Sequence, residues 1–465
     1  MQITPIIGLE VHVELKTKSK MFCGCDASHF HVEPNTHTCP VCLGLPGALP
    51  VPNITACEWC IKLGLALGCT INEETFFERK NYFYPDLPKG YQITQLQKPF
   101  AVNGKIAIDG HDIRINRAHL EEDTGKSQHV GDTTLLDFNR SGVPLVEIVS
   151  EPNIVSPEEA KKYLGKIQQI VRYLGISDAD IEKGSMRCEP TVNLQIGDSF
   201  TPLVEIKNIA SLTGVLDAIQ YEVDRQSKQF ETDHIEKNAT NKTTRGWDAD
   251  KSVTFLQREK EGSADYRYFP EPDIPPIVFS PDQIDAIRAT LPEMPEAKIA
   301  KYKALNLSDY DANLLAEDLT FSSIFEKILS NSTNSEFAKF IANLLLGPLK
   351  TIGIDIGKIN PLYFKNLYDK KADLSSSAIK QLVLESYQTG ANPLLLAQKQ
   401  NLFQVSDTGA IETMAKKVLA DNPKAVADYK KNPQSIGFLI GQLMKASGGS
   451  ANPKLAKEIL EKLLK

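Results

Sequence analysis

The chain has 465 residues, of which 24% are charged and 42% are hydrophobic, and this balance excludes a largely disordered or fibrous protein. Its 52 basic and 59 acidic side chains give a formal net charge of -7, so any contact with nucleic acid must use a local patch rather than bulk positive charge. The sequence shows neither a signal-peptide pattern nor an apolar run long enough for a membrane span, so we expect a cytoplasmic protein without a membrane partner.

The first strand candidate is the segment IIGLEVHVEL at residues 6–15. Strict alternation places apolar residues on one face of this strand and Glu10, His12 and Glu14 on the other. Two interpretations remain open. Either the polar face only meets water, or two carboxylates and an imidazole share a functional surface.

Four cysteines follow in two close pairs, Cys23 with Cys25 and Cys39 with Cys42. Four thiolates satisfy the tetrahedral coordination of zinc and leave no open position for a reacting water. The spacing therefore predicts a structural zinc knuckle at residues 23–42, and it argues against a free-standing zinc hydrolase built around His12.

A rival zinc site would combine the second cysteine pair with Cys57 and Cys60. These two residues are one helical step apart and lead into the apolar segment IKLGLALGC. We favour the first quartet, because this pattern predicts that Cys57 and Cys60 pack on a helix as small apolar residues.

Carboxylates recur in the later strand candidates. They are Glu121 and Glu122 in HLEEDTGK at 119–126, and Glu147 and Glu205 in two copies of LVEI at 145–148 and 203–206. A carboxylate inside an apolar strand is costly unless it is paired or bound to metal, and several together suit Mg²⁺ with substrate phosphates. Because the chain has neither a P-loop nor a G-x-G-x-x-G motif, a nucleotide would be held by sheet side chains and metal.

The segment MRCEPTVNLQI at 186–196 alternates in the same way and places Arg187 and Glu189 on its polar face. Pro190 has no N–H to donate to a neighbouring strand. The pattern therefore predicts a strand that is bulged at Pro190 or lies at the edge of its sheet.

Helical periodicity dominates from Ser280 onward, where a serine and a proline stand at a predicted helix start. We expect an α+β fold with three domains, at residues 1–290, 291–400 and 401–465.

From residue 411 to 465 ten lysines and five acids give a local charge of +5. This tail suits contact with a polyanion through Lys454 and Lys457, although a solvated lysine face is an equal alternative.

Long ordered segments carry a family resemblance. They are IIGLEVHVEL at 6–15, FCGC at 22–25, CPVCLGLPGALPVPN at 39–53, RKNYFYPDLPKGYQITQ at 79–95, HLEEDTGK at 119–126, DFNRSGVPLVEIVSEP at 137–152, VEIKN at 204–208, DYRYFPEPDIPP at 265–276 and GQLMKASGGSANPKL at 441–455. Together they resemble the B-subunit family of the bacterial aspartyl/glutamyl-tRNA(Asn/Gln) amidotransferases, over nearly the whole chain.

This resemblance implies an antiparallel-sheet cradle related to the glutamine synthetase and guanido kinase fold, then a helical domain and a tRNA-binding helical tail. It implies a carboxylate kinase that uses ATP and Mg²⁺ to phosphorylate the side chain of Asp or Glu misattached to tRNA(Asn) or tRNA(Gln). An A subunit would release ammonia from glutamine to form the amide, and a C subunit would join A and B. The absence of a glutaminase motif from this chain agrees with that division of labour.

The resemblance also implies roles for individual residues. The predicted catalytic and metal-binding residues are Glu10, His12 and Glu122, with Glu121, Glu147 and Glu205 as further Mg²⁺ ligands. The predicted nucleotide- or substrate-binding residues are Arg79, Lys80, Tyr82, Lys89, Tyr91, Gln92 and Arg187. Where the family reads R-C-D-A-N-V, this chain has RCEPTV at 187–192, so Glu189 would ligate Mg²⁺ through a longer side chain. That departure motivates one alternative, a tRNA-docking scaffold with a decayed kinase site.

Overall fold

The chain folds into two structural units, residues 1–294 and 295–465. The structure, a computed structural model, describes residues 3–259, 266–330, 332–403, 408–447 and 451–464. Asp265 and residues 448–450 of the family-like segments lie outside the described residues, as does Lys465 of the tail. Within those ranges no helix has both the length and the apolar character that a membrane span requires.

The first unit contains a large sheet, three small sheets and four helices. Its strands are β1 (Ile3–Glu14), β2 (Thr70–Ile71), β3 (Glu74–Thr75), β4 (Glu78–Asn81), β5 (Tyr91–Thr94), β6 (Ala101–Ile108), β7 (His111–Glu122), β8 (Lys126–Val130), β9 (Thr133–Asp137), β10 (Pro144–Ser150), β11 (Met186–Ile196), β12 (Ser199–Phe200), β13 (Val204–Lys207), β14 (Thr243–Asp248), β15 (Val253–Glu259), β16 (Phe269–Pro270) and β17 (Ile277–Val278). Its helices are α1 (Ile54–Ala66), α2 (Pro157–Tyr173), α3 (Leu212–Asp233) and α4 (Pro281–Arg288).

Ten strands form the large sheet in the order β15-β14-β13-β11-β1-β10-β7-β6-β2, with β12 paired to β11. The expected large sheet followed by helices is confirmed. The prediction of an antiparallel sheet is wrong for one pair, because β13 and β14 run parallel. A parallel pair needs a long crossover connection, and α3 lies between these two strands in the chain.

The two faces of β1 differ as the alternation predicts. Ile7, Leu9, Val11 and Val13 are fully buried in one hydrophobic core that also contains apolar residues of α1, α2 and α3. Their neighbours in sequence face the other side of the sheet. The helices therefore cover the apolar face, and the polar face of the central strands remains available for a functional site.

The expectation that Pro190 marks an edge or a bulge is wrong, because β11 lies inside the sheet between β1 and β13. Pro190 is opposite Leu9 in an uninterrupted register with β1. On the other side, β13 pairs only with Thr191 and Val192. The proline is tolerated in an interior strand because the pairing with β13 covers only Thr191 and Val192 and does not extend to Pro190.

The second unit is helical. Its helices are α5 (Pro295–Ala304), α6 (Asp309–Glu317), α7 (Leu319–Leu329), α8 (Ser335–Leu344), α9 (Pro361–Asp369), α10 (Ser376–Thr389), α11 (Pro393–Lys399), α12 (Thr408–Asp421), α13 (Pro423–Lys431), α14 (Ile436–Ala446) and α15 (Pro453–Leu464). Residues of α5 to α11 share one hydrophobic core. A separate core joins α12, α14 and α15 through residues such as Ile411, Leu443 and Leu460.

Glu222 on α3 is a fully buried carboxylate that ties this helix to β14. Its oxygens lie 2.8 Å from Arg225 Nη2 and 3.2 Å from Arg245 Nε. Burial alone would raise the pKa of Glu222, but hydrogen bonds and the charge of Arg225 lower it below its ordinary value. The ionised carboxylate therefore stabilises the fold at neutral pH, and this contribution is lost as the pH falls through the lowered folded-state pKa.

We expect Glu222→Ala to lower the free energy of unfolding by about 2–3 kcal/mol, because it leaves two partly buried arginine charges without their carboxylate partner. Urea denaturation at neutral pH measures this loss. The matched control is Glu231→Ala, an exposed site on the same helix, where the change should stay within about 0.5 kcal/mol. Equal effects of the two substitutions would contradict the proposed importance of the ion pairs.

Candidate active site and metal centres

A row of polar residues crosses the central four strands of the large sheet. The register places Arg187 of β11 opposite His12 of β1, His12 opposite Glu147 of β10, and Glu147 opposite His119 of β7. Residues directly opposite one another in a sheet project from the same face. Segments that are distant in sequence therefore bring an arginine, a carboxylate and two imidazoles together.

His12, Glu121 and Glu147 converge most closely. His12 Nε2 lies 3.4 Å from Glu121 Oε1 and 3.4 Å from Glu147 Oε2. One ligand atom from each of the three residues lies within 4.8 Å of the others. We refer to these three residues, which are two carboxylates and one imidazole, as the carboxylate triad.

The electrostatics of the carboxylate triad favour a positive charge between the two carboxylates, which protonated His12 supplies in the absence of metal and which a bound metal ion would supply after His12 loses its proton. Burial raises the pKa of Glu121 to about 7, against the opposing charge of His12. Burial alone would raise the pKa of Glu147, but His119 and His12 hold it well below its usual range. Burial alone would lower the pKa of His12, yet its hydrogen bond to Glu147 and the charge of Glu121 raise it to about 9. Two carboxylate oxygens fit Mg²⁺ or Mn²⁺, and the imidazole is a softer third donor.

The sequence interpretation missed His119. Its Nε2 lies 3.5 Å from Glu147 Oε2, and its buried Nδ1 has no hydrogen-bond partner among the described residues. Burial lowers the pKa of His119 to about 4. The alternation of HLEEDTGK was an available signal, since His119 is two residues from Glu121 and must share its face.

Glu122 does not join the carboxylate triad, because it follows Glu121 on β7 and neighbours in a strand point to opposite faces. Its Oε1 accepts a hydrogen bond from the Ile93 N–H at 3.0 Å and pairs with Lys89 Nζ. Its backbone carbonyl accepts from Gln92 Nε2 at 2.7 Å. Three predicted site residues, Lys89, Gln92 and Glu122, thus form a neighbouring buried cluster, and a direct role of Glu122 at the metal stays a prediction.

Glu10, Glu189 and Glu205 project from the same face as the carboxylate triad and lie on three successive strands, β1, β11 and β13. Glu10 is directly opposite Glu189, and burial and the charge of Glu147 raise the pKa of Glu10. Lys207 Nζ lies 2.8 Å from Glu189 Oε2 and 3.3 Å from Glu205 Oε1. Lys242 Nζ lies 3.1 Å from Glu205 Oε2. Lysines that the sequence interpretation overlooked therefore neutralise two of these three acids.

Arg187 is held by Asp123, a residue that was not among the predicted site residues. Arg187 Nη2 lies 2.5 Å from Asp123 Oδ2, and Arg140 Nε lies 3.5 Å from the same oxygen. Burial alone would raise the pKa of Asp123, but these two guanidinium groups hold it below its ordinary value. The ion pair fixes Arg187 next to His12 at the end of the polar row.

Arg79 and Lys80 are neighbours on β4, but their side chains contact different groups. Arg79 makes two 2.7 Å hydrogen bonds to Glu271, and its guanidinium carbon lies 4.2 Å from the Tyr91 ring centroid. Arg79 therefore joins β4 to the segment after β16. Lys80 Nζ lies 5.0 Å from the Tyr266 ring centroid.

The environment of Lys80 connects it to the carboxylate triad. Burial alone would lower the pKa of Lys80, but the charges of Glu121 and Glu147 raise it. The Tyr82 ring centroid lies 5.8 Å from Lys80 Nζ. Among the predicted substrate-binding residues, Lys80 and Arg187 thus bring positive charge toward the triad.

The four cysteines of the first quartet converge. The Sγ atoms of Cys23, Cys25, Cys39 and Cys42 all lie within 4.8 Å of one another, close to the separation of about 3.8 Å that tetrahedral zinc with bonds of about 2.3 Å requires. This geometry is compatible with structural zinc.

Cys57 and Cys60 lie elsewhere, as predicted. Both are buried in the hydrophobic core on α1, and burial raises the pKa of Cys57 to about 12. The rival quartet is therefore not assembled, because the helix directs these two thiols into an apolar environment.

Lys454 and Lys457 are exposed on α15. Lys457 Nζ lies 3.8 Å from Glu461 Oε1, one helical turn away. Exposed pairs of this kind contribute little to stability, so both lysines remain accessible to a polyanion.

Two family models match this chain. Residues 5–285 match a model described as the GatB/GatE catalytic domain, and residues 323–464 match one described as the GatB domain. Similar relatives include the B subunit of the aspartyl/glutamyl-tRNA(Asn/Gln) amidotransferase of Persephonella marina, 45% identical over 479 residues that span 100% of both chains. The protein of the same name from Thermotoga maritima is 41% identical over 486 residues, which span 100% of this chain and 99% of the relative.

A large sheet with a metal-compatible acid cluster, followed in the chain by a helical unit, is compatible with a multidomain enzyme component. The chain belongs to the GatB/GatE family, a family of aminoacyl-tRNA amidotransferase components, and the sequence-based prediction of family and enzyme class is confirmed. The names of the relatives give no support to the docking-scaffold alternative.

We expect Cys39→Ser to lower the zinc content of the purified protein to well below one equivalent, because a tetrahedral site loses one of its four thiolates. Metal analysis of the purified chain measures this directly. Cys69→Ser is the matched control, since Cys69 lies outside the quartet, and His12→Ala should also retain zinc. Full zinc content in Cys39→Ser would contradict the assignment of the quartet.

Proposed function

We propose that this chain uses ATP and Mg²⁺ to phosphorylate the side-chain carboxylate of Asp or Glu carried by tRNA(Asn) or tRNA(Gln). Ammonia that an A subunit releases from glutamine then converts the acyl phosphate into the amide. The convergence of His12, Glu121 and Glu147 on the polar face of the sheet carries this proposal. The names of the relatives supply the class of substrate.

The chemistry requires activation because a carboxylate is a poor electrophile. A side-chain oxygen of the substrate attacks the γ-phosphorus of ATP, an O–P bond forms, and the bond to ADP breaks. Ammonia next attacks the acyl carbon, phosphate leaves with the C–O bond electrons, and the nitrogen loses a proton. Positioning and electrostatic stabilisation are the main demands that phosphoryl transfer makes on a protein.

The residues of this chain match those demands. Glu121 and Glu147 would hold Mg²⁺ together with His12, and the bound ion would offset the negative charge of the transferring phosphoryl group. Lys80, which faces the same carboxylates, adds fixed positive charge beside them. Arg187 keeps its orientation through Asp123 and offers a planar donor for a substrate carboxylate.

The remaining parts of the proposal concern organisation. We place the carboxylate kinase in residues 1–290, with structural zinc in its knuckle, and divide the rest into a helical domain at 291–400 and a tRNA-binding tail at 401–465. The separate hydrophobic cores of α5 to α11 and of α12, α14 and α15 support that division. A and C subunits would complete the enzyme.

We expect Glu121→Gln to reduce ATP-dependent amide formation on the order of 100-fold or more, because it removes a charge that holds the cation at the phosphoryl group. The assay combines this chain with its A and C subunits, glutamine, Mg²⁺ and either Asp-tRNA(Asn) or Glu-tRNA(Gln), with ATP present or withheld. Glu158→Gln is the control, at an exposed position at the start of α2.

Two results would count against the kinase site. Full activity of Glu121→Gln would remove the carboxylate triad from the mechanism. Amide formation without ATP would exclude activation by phosphorylation. An equal loss in Glu122→Gln would show that the buried cluster of Glu122, Lys89 and Gln92 is also needed for activity.

We expect the double substitution Lys454→Glu with Lys457→Glu to weaken tRNA binding and to reduce the slope of log affinity against log salt by about one unit for each lost phosphate contact. Binding titrations at several salt concentrations give both quantities. Lys380→Glu serves as the control. This lysine is exposed on α10, a helix that packs in the other hydrophobic core of the helical unit. Unchanged affinity at low salt would place the RNA-binding surface elsewhere.

A further inference from the structure

Lys20 is a fully buried lysine beside the zinc knuckle. Its ammonium donates to the carbonyl oxygens of His37 at 2.7 Å and Phe138 at 3.2 Å, and to Cys42 Sγ at 3.7 Å. These three acceptors match the three N–H donors of an ammonium. In the part of the chain that the structure describes, no carboxylate pairs with Lys20.

A buried ammonium without an opposite charge is strongly unfavourable. Backbone carbonyls satisfy its hydrogen bonds but carry no net charge, so the cysteine quartet is the source of negative charge in contact with Lys20. Four thiolates around Zn²⁺ carry a formal charge of about -2. A zinc-loaded knuckle therefore balances the charge of Lys20, and the N–H to sulfur contact orients a ligand in return.

The acceptors of Lys20 belong to separate parts of the fold. His37 lies in the loop between the two cysteine pairs, whereas Phe138 begins the turn 138–143 that leads into β10. Ser141 Oγ donates to the Cys42 carbonyl at 3.2 Å, and the Met21 N–H donates to the Gly142 carbonyl at 2.7 Å. Lys20 thus lies where the knuckle and this turn meet.

Gly142 brings the turn next to Cys42 and Lys20 at that junction. Gly142 has a φ of +85°, and a Cβ placed there would lie 3.4 Å from Cys42 Cβ and 3.5 Å from Lys20 Cδ. Two backbone hydrogen bonds join the turn to Asp123, the residue that follows β7. The Gly142 N–H donates to the Asp123 carbonyl at 2.9 Å, and the Asp123 N–H donates to the Val143 carbonyl at 2.8 Å.

We propose that Lys20 is a positioning residue that couples the metal-loaded cysteine quartet to the turn 138–143, and through it to Asp123 and its partner Arg187. The coupling rests on the proposed zinc in the knuckle. Binding of the metal holds Cys42 and the loop that contains His37 in place around the ammonium, so two of its three acceptors depend on the metal. Loss of the metal releases these two acceptors and loosens the turn, although no residue of the turn is a zinc ligand.

A thermodynamic cycle on the full-length chain tests this coupling. The unfolding midpoint is measured with zinc bound and after chelation, for the wild type, Lys20→Met, Lys20→Gln and Lys18→Met. We expect zinc to raise the midpoint of the wild type, and this increment to fall by at least half in both Lys20 variants. Lys18→Met should retain the full increment, because Lys18 is an exposed lysine of the same segment.

Lys20→Gln keeps polar donors without the charge, so a reduced increment in both variants assigns the effect to the charge. Equal increments in all four proteins, or no increment in the wild type, would overturn the proposal. If the Lys20 variants do not fold, hydrogen exchange of the wild type gives the answer. Chelation should then reduce protection of the amides of Asp123 and Gly142, and protection that is unchanged at both would overturn the coupling.

Discussion

The central constraint on this protein is the alternation of side chains along β1 in the middle of the large sheet. One face of the strand is buried in the core of the first unit, so its chemistry is purely apolar. The other face must then carry every polar residue of the strand. Because neighbouring strands align their residues in register, the same face of the sheet collects the polar residues of β7, β10, β11 and β13.

Charge balance limits which buried acids the polar face of the sheet can carry. Buried carboxylates are tolerated only with nearby positive charge or metal, and most acids of this site have such a partner. Without metal, protonated His12 balances Glu121 and Glu147, and lysines on and beside β13 and β14 balance Glu189 and Glu205. On the opposite face of β7, Lys89 balances Glu122. A charged substrate would therefore meet a surface whose positive and negative groups are already arranged.

The cysteine quartet and its loop are joined to the sheet by similar polar contacts. Its loop is tied to the carboxyl end of β1, where His29 Nε2 lies 2.9 Å from Glu14 Oε2, and to the turn before β10 through Lys20 and Asn139. In each case a small number of polar contacts joins a loop without regular secondary structure to the sheet. A metal that orders this loop would therefore also hold the end of β1 and the turn before β10.

Local sequence patterns were sufficient to predict the polar face of β1, the cysteine quartet and the family. Alternation showed which face of β1 is polar, cysteine spacing selected the quartet over the pair on α1, and long motifs identified the family. The tertiary contacts were needed to show that Glu121 and not Glu122 joins His12 and Glu147, that Asp123 holds Arg187, that Lys207 pairs with Glu189, and that β13 and β14 run parallel. Those outcomes depend on strand register and on contacts between residues far apart in sequence. A local sequence pattern determines neither of them.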